Sequence, residues 1–174
     1  MLAAPVVAGL SACSPSQAPT DKLIVGEPFP NIPLITLDGE ESSLLNYRGR
    51  LVVLNLWATW CEPCRLEMPN LQQLSDTLDA QRFAVLGVSI DDDAPAVREY
   101  LHDKAVRFAR YIDVDGEVAA EQLGVRLYPY TFLIAPDGTF IQRIPGPREW
   151  HRPEVVVLLE AAYGGDYSGL QATQ

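Results

Sequence analysis

Cysteine and histidine are scarce in this sequence, and their scarcity narrows the chemistry that the chain can perform. The 174 residues include three cysteines and two histidines, which are Cys13, Cys61, Cys64, His102 and His151. A structural zinc site takes four ligands, usually as two close pairs, and only Cys61 and Cys64 form such a pair. Covalent attachment of a c-type haem requires a histidine directly after the second cysteine, where Arg65 stands. We therefore expect neither a metal nor another cofactor at this pair.

Basic residues are also few. The 13 lysines and arginines are outnumbered by 23 aspartates and glutamates, which gives a net charge of -10. Such a charge disfavours binding to nucleic acid and electrostatic docking on anionic lipid. With 48% hydrophobic residues and no internal repeat, the composition instead predicts one domain with a sizeable core.

The two close cysteines stand in the most informative segment, Trp60-Cys61-Glu62-Pro63-Cys64. It follows the apolar run 51–57 and precedes an amphipathic helical pattern, which places it at a strand-to-helix turn. Cysteines three apart on a first helical turn share a face, and their sulfurs can bridge with little backbone movement. The positive end of the helix favours a thiolate, so we predict that Cys61 is the nucleophile and that Cys64 resolves the mixed disulfide. A purely structural disulfide stays an alternative, although so short a loop constrains the unfolded chain little.

Residues 1–12 have the features of a signal peptide. The segment Leu2–Leu10 is apolar but shorter than the about 20 residues that span a bilayer as a helix, and it has the length of the apolar region of a signal peptide. The following Leu10-Ser11-Ala12-Cys13 resembles the lipobox of bacterial lipoproteins. That resemblance implies cleavage before Cys13, a lipid on Cys13, and an anchor and linker over residues 13–23.

A signal peptide begins with basic residues, yet this chain has no Lys or Arg before Lys22. Three explanations stay open: the natural start lies upstream of Met1, the segment is an ordinary secretory signal, or the similarity is accidental. The first two place the protein outside the cytoplasm, where an active dithiol must be kept reduced by a dedicated donor.

The remaining chain predicts alternating strands and helices. Alternation over 32–37, a turn at 38–39 and an extended piece near 42–45 predict an N-terminal β-hairpin. The continuous apolar runs 51–57 and 83–89 suit parallel strands that are covered on both faces. Leucines at helical spacing predict a helix over about 62–78, and three aspartates at 91–93 lead into another. The further predicted elements are a strand at 108–112, a short helix at 118–123, strands at 128–134 and 140–144, a helix from 153 to 163, and a polar tail at 166–174.

Together these features resemble the thioredoxin fold, and in particular its extracytoplasmic TlpA/ResA/DsbE (CcmG) branch. The matching segments are 54–69 (LNLWATWCEPCRLEMP), 25–30, 129–134 and 136–138. The resemblance covers about residues 24–163. It implies an α/β domain over 24–165 in which helices flank a central mixed β-sheet, with the N-terminal hairpin and a central strand/helix insertion.

The resemblance also assigns roles around the thiols. Pro129 aligns with the cis-proline that faces the redox pair, and its loop would let a substrate strand pair beside Cys61. Trp60 and Tyr128 are expected to shape that contact, and Tyr128 stands where the family usually has a smaller residue.

Charged and polar residues near the pair are expected to adjust its redox properties. Glu67 corresponds to the acidic residue that tunes the thiols in ResA-like proteins, since a buried carboxylate disfavours the thiolate and can exchange a proton with Cys64. A solvated helix glutamate is the alternative. Asn55 stands where thioredoxin has a buried aspartate, which leaves Glu67 as the candidate carboxyl. Glu62 and Pro63 separate the thiols, and the charge of Glu62 opposes the helix dipole and favours a more reducing pair.

The predicted function is that of an extracytoplasmic thiol-disulfide oxidoreductase that reduces disulfides of exported proteins. The resemblance implies a membrane thiol donor of the CcdA or DsbD type and a location in the bacterial periplasm or on the outer face of a membrane. It also implies apocytochrome c as the best-known substrate in the family. Three alternatives stay open: net oxidation or isomerisation of exported proteins, thiol peroxidase activity, and a non-enzymatic binding module with a vestigial disulfide.

Overall fold

Seven strands form one mixed sheet in the computed structural model, which describes residues 23–171. The strands are β1 (Pro33–Thr36), β2 (Glu41–Ser43), β3 (Leu51–Trp57), β4 (Phe83–Ser89), β5 (Ala109–Ile112), β6 (Tyr130–Ile134) and β7 (Phe140–Pro145). Their order across the sheet is β2-β1-β5-β4-β3-β6-β7. The central strands β3, β4 and β5 run parallel, and the outer strands join them in antiparallel pairs. The expected α/β fold with a mixed central sheet is confirmed.

Helices and short helical turns cover the two faces of this sheet. The helices are α1 (Glu62–Thr77), α2 (Ala94–Asp103), α3 (Pro153–Tyr163) and α4 (Ser168–Gln171). The first three share one hydrophobic core with Leu51 and Val53 of β3. Val52 and Leu54 point to the opposite face, where they pack with the N-terminal segment and with turns that include Leu44 and Ala119. No helix within residues 23–171 has both the length and the apolar character needed to cross a membrane.

The burial of β3 and β4 explains their uninterrupted apolar sequences. Every residue of both strands is buried, and the two strands pair in parallel from Leu51 opposite Phe83 to Trp57 opposite Ser89. A parallel strand with packed elements on both faces has no solvent side, so it shows no alternation of polar and apolar residues. The bounds of both strands agree with the sequence-based prediction.

The N-terminal hairpin is confirmed, with one difference at its end. β1 and β2 pair antiparallel, with Ile35 opposite Glu41. We expected the second strand to continue to Leu45, but Leu44–Tyr47 forms a 3-10 helix. Ser43 caps this helix, since its Oγ accepts a hydrogen bond from the Leu45 N–H at 3.2 Å. The cap ends the strand and turns Leu44 into the core.

The segment after α3 differs from the polar tail that we expected over 166–174. Its residues 168–171 form α4, and Leu170 is buried in the core shared with α3. The Leu170 carbonyl accepts a hydrogen bond from Gln142 Nε2 of β7 at 3.0 Å. Leu170 and the partly buried Tyr167 pack this short segment against the core, and the packed domain extends at least to Leu170.

Candidate active site

Cys61 and Cys64 lie at the start of α1 and are joined by a disulfide bond. The sulfur atoms are 2.04 Å apart and the Cα atoms are 5.3 Å apart. Cys61 is the N-cap residue of the helix, and its Sγ accepts a hydrogen bond from the Cys64 N–H at 3.3 Å. Pro63 occupies the first turn, where a missing N–H costs no helical hydrogen bond. The cap at Cys61 and the proline at position 63 therefore favour a helix start here, which places both cysteines at the first turn of α1.

The two cysteines differ in their access to solvent. Cys61 is 7% exposed, whereas Cys64 is 1% exposed. An incoming disulfide therefore reaches Cys61 first. In the reduced protein, a thiolate at the N-cap position would be stabilised by backbone N–H groups and by the helix dipole. Access and electrostatics both support Cys61 as the attacking thiol and Cys64 as the internal one.

The peptide bond between Tyr128 and Pro129 is cis. Pro129 is buried, and its carbonyl accepts a hydrogen bond from the Gly146 N–H at 2.9 Å. The next residue, Tyr130, lies opposite Leu56 near the end of β3. The loop before β6 that contains Pro129 is called the proline loop. Because β3 and β6 are antiparallel, the proline loop lies at the same end of the sheet as the turn that carries the cysteines. The expected cis-proline is present, and it lies at the end of the sheet that carries the redox pair.

Two aromatic side chains line this end of the sheet. Trp60 is 66% exposed, and its ring meets the ring of Tyr128 edge to face with 6.2 Å between centroids. The Tyr128 hydroxyl donates to the Val125 carbonyl at 3.3 Å, which fixes the tyrosine ring. We call Trp60 and Tyr128 the aromatic wall. It joins the turn before α1 to the proline loop.

Glu67 lies one helical turn after Cys64 and is buried rather than solvated. Its side chain is 2% exposed, and Oε1 accepts a hydrogen bond from the Trp150 indole N–H. Burial raises the pKa of Glu67 from 4.5 to about 7, while the Trp150 hydrogen bond and the Arg148 cation act in the opposite direction. On a helix, residues three apart have Cβ atoms about 5 to 6 Å from each other. The residue that carries this carboxyl, whose pKa is about 7, is therefore a helical neighbour of Cys64.

Asp91 holds the turn that precedes Cys61, and the sequence reasoning did not identify it. Its carboxylate accepts hydrogen bonds from the Thr59 N–H at 2.9 Å, from the Thr59 hydroxyl at 2.6 Å and from the Ser89 hydroxyl at 2.5 Å. Of the three neighbouring aspartates, Asp93 has the expected helix-start role, since it accepts the Ala96 N–H as N-cap of α2. Asp91 instead connects the end of β4 to the active-site turn.

We expect Asp91→Ala to lower the free energy of unfolding by about 2 to 4 kcal/mol, because it leaves the Thr59 N–H and two hydroxyls without their buried acceptor. Urea titration of the disulfide form measures this loss. Asp92→Ala is the matched control, since the exposed Asp92 accepts one hydrogen bond, from the Asp115 N–H. An equal loss in both variants would show that Asp91 does not anchor the turn.

The remaining predicted positions take different places. Asn55 is buried and donates through Nδ2 to Thr131 Oγ1 at 2.9 Å. Glu62 is exposed on the first turn of α1, beside the exposed Pro63. Cys13, the predicted lipidation site, lies outside the described residues. Asn55 therefore supplies no carboxyl to the pair, and Glu67 is the buried carboxyl on the helix that carries the thiols.

Known proteins resemble this chain in sequence. Residues 25–143 match the family model described as the AhpC/TSA family. The chain is 32% identical over 126 residues to thiol-disulfide oxidoreductase ResA of Bacillus thuringiensis subsp. konkukian, and the aligned region covers 72% of each protein. It is 34% identical over 122 residues to thiol-disulfide oxidoreductase ResA of Geobacillus thermodenitrificans, with 70% of each protein covered.

A solved structure agrees with the fold. A candidate thiol:disulfide interchange protein DsbE from Chlorobium tepidum superimposes with a TM-score of 0.73 at 27% identity, over 82% of this chain and 100% of that one. The segment matched by the family model contains Cys61, Cys64, Glu67 and Pro129 but ends before Trp150. Trp150, the hydrogen-bond partner of Glu67, thus lies outside the segment that the family model matches.

Proposed function

The chain belongs to the AhpC/TSA family and is a thiol-disulfide oxidoreductase, and from this premise we propose that Cys61 and Cys64 reduce disulfide bonds of exported proteins. The observation that carries the proposal is the asymmetry of the pair. Cys61, the less buried residue of the pair, is the N-cap of α1, and the more deeply buried Cys64 lies one helical turn before Glu67, whose carboxyl has a pKa of about 7. This asymmetry suits ordered attack by one thiol and resolution by the other.

The proposed reaction has two exchange steps. The Cys61 thiolate attacks one sulfur of the substrate disulfide, a Cys61–substrate bond forms, and the second substrate sulfur leaves as a thiolate and takes up a proton. Cys64 then loses its proton and attacks Cys61 Sγ. The Cys61–Cys64 bond forms and the first substrate sulfur leaves, so two electrons pass from the protein to the substrate. Glu67 is proposed to accept the Cys64 proton, since its pKa of about 7 suits transfer near neutral pH.

A substrate strand is proposed to dock between the aromatic wall and the proline loop. Pro129 has no N–H and its carbonyl accepts the Gly146 N–H, so we propose that main-chain pairing with a substrate strand uses the neighbouring Tyr128. The exposed Trp60 ring offers apolar contact next to Cys61, the attacking residue. Protein disulfides presented on extended segments therefore suit the site.

The direction of electron flow, the donor and the location also belong to this proposal. We propose that a membrane thiol donor of the CcdA or DsbD type returns two electrons to the Cys61–Cys64 disulfide after each turnover. The protein would work outside the cytoplasm, anchored through a lipid on Cys13, and apocytochrome c is the proposed substrate. The relatives named ResA support the thiol-disulfide chemistry, and the lipobox resemblance of residues 10–13 supports the anchor.

The reduction potential of the pair tests the proposed direction. We expect equilibration with glutathione buffers to give a reduction potential typical of a reductant. We also expect the protein to reduce insulin when dithiothreitol supplies electrons. A potential near that of the oxidant DsbA, about -120 mV, would instead assign net oxidation of substrates. A failure to reduce insulin with a suitable donor would favour a binding module with a vestigial disulfide.

A thiol peroxidase is the second candidate, because the matching family model includes AhpC in its description. The Cys61–Cys64 disulfide favours a peroxidase less than a disulfide reductase, since the two bonded cysteines are three positions apart at one helical turn. Peroxide consumption by the reduced protein separates the two functions. Rapid turnover at micromolar peroxide, without insulin reduction, would replace the proposed reductase by a peroxidase.

A further inference from the structure

Trp150 is the buried residue of an otherwise exposed turn between β7 and α3. Glu149, His151 and Arg152 are exposed, whereas Trp150 is 3% exposed. The Arg152 N–H donates to the Glu149 carbonyl at 3.2 Å, and the two side chains form an ion pair. These contacts close the turn, and the indole enters the core that also contains Cys61 and Cys64. The Trp150 side chain therefore makes its contacts inside the protein, whereas its neighbours in the turn face solvent.

That contact is with Glu67 of α1. The indole Nε1–H donates to Glu67 Oε1, across 83 positions of sequence. Glu67 Oε2 is buried and accepts no hydrogen bond from the residues described. The indole is therefore the hydrogen-bond donor that holds this carboxyl. It comes from the turn between β7 and α3, far in sequence from α1.

We propose that Trp150 is a positioning residue of the redox site, which holds the Glu67 carboxyl through its indole N–H and thereby sets how this carboxyl acts on Cys64. The inference rests on the proposed role of Glu67 as the partner of the internal thiol. It adds a residue that lies outside the segment shared with the AhpC/TSA family model.

The physical effect of the indole is to stabilise the ionised carboxylate. Burial raises the pKa of Glu67 to about 7, and the hydrogen bond from Trp150 lowers it from the still higher value that burial alone would give. The charged group that acts on Glu67 is Arg148, next but one to Trp150 in the chain, and it also lowers the pKa of Glu67. Removing the indole N–H therefore makes Glu67 harder to ionise at neutral pH. A neutral Glu67 cannot accept the Cys64 proton.

The first test is the pKa of Glu67 in Trp150→Phe, measured by carbon NMR of the side-chain carboxyl in the disulfide form, where the cysteines do not titrate. We expect the pKa to rise by about one pH unit, as for the loss of a hydrogen bond to a charged group. Trp150→Leu also lacks the indole N–H and offers no other hydrogen-bond donor, so it gives the same rise if the phenylalanine variant folds poorly. His151→Gln is the control for the neighbouring exposed imidazole and leaves the pKa of Glu67 unchanged. An unchanged pKa in both Trp150 variants would overturn the inference.

The second test is the pH profile of alkylation of the reduced thiols by iodoacetamide. Trp150→Phe is expected to shift this profile in the wild-type background and to leave it unshifted in the Glu67→Gln background. An equal shift in both backgrounds would mean that Trp150 acts by packing alone, because it contributes to the wall of a cavity of about 310 Å³ next to Leu133 and Leu159. Failure of insulin reduction would remove the proposed function but not the effect of Trp150 on Glu67, so the two outcomes are distinguishable.

Discussion

Cys61→Ser is expected to abolish disulfide exchange, with a loss of at least about 10³-fold in the rate of insulin reduction, as for removal of a nucleophile. The thiolate is the attacking species, and a serine hydroxyl does not ionise near neutral pH. Cys61 is also the more exposed residue of the pair, so Cys64 at 1% exposure offers no substitute for the first attack. Insulin reduction with dithiothreitol as the electron source measures the loss.

Cys64→Ser is expected to separate the two steps of the same reaction. Cys61 can still attack, but no internal thiol is present to release the substrate, so the mixed disulfide accumulates. Affinity purification of this variant from its own host under non-reducing conditions, followed by mass spectrometry, would identify the trapped partners. Exported proteins among them support the proposed substrate class.

The control for both variants is Cys13→Ser, which removes the one cysteine outside the pair. Insulin reduction by this variant is expected to equal that of the wild type, since the exchange uses only Cys61 and Cys64. Accumulation of mixed disulfides in Cys61→Ser instead of Cys64→Ser would contradict the assignment and reverse the roles of the two thiols.

Local and periodic features of the fold could be predicted from the sequence. β3 and β4 are continuous apolar runs because both faces are packed, and each has the bounds that the runs predicted. The leucine spacing of α1 and the aspartates before α2 reflect interactions within a few residues of each other. The cysteine pair was also evident, because its chemistry depends on spacing and on a helix start.

Contacts between distant segments could not be predicted in this way. The hydrogen bond from Trp150 to Glu67 spans 83 positions, and the bond from Thr59 to Asp91 spans 32. Neither hydrogen bond can be recognised from the spacing of residues in the sequence, because the two partners belong to separate segments with unrelated local patterns. The cis bond before Pro129 depended on the family resemblance for the same reason, because no local feature of Tyr128-Pro129 specified it.

Glu67→Gln is expected to remove a large pH dependence of stability. The pKa of Glu67 rises from 4.5 to about 7 on folding because the carboxyl is buried. Between these two values the folded protein keeps a proton that the unfolded chain has lost. The free energy of unfolding therefore falls as pH rises through this window, by about 3 kcal/mol in total. Glutamine does not titrate, and its side-chain oxygen can still accept the indole N–H of Trp150.

The measurement is urea unfolding of the disulfide form at several values between about pH 4 and about pH 8, where the difference between wild type and variant isolates Glu67. The stabilisation from Glu67 is complete below its unfolded pKa and is lost above its folded pKa, so the variant gains relative stability as the pH rises. Glu62→Gln is the matched control, because Glu62 is exposed on the first turn of the same helix. Its pH dependence is expected to follow that of the wild type. A constant difference between wild type and Glu67→Gln across this range would show that the carboxyl has no raised pKa. In that case the pKa of Glu67 would lie several units below that of a thiol, and its carboxylate would be too weak a base to take up the Cys64 proton as proposed.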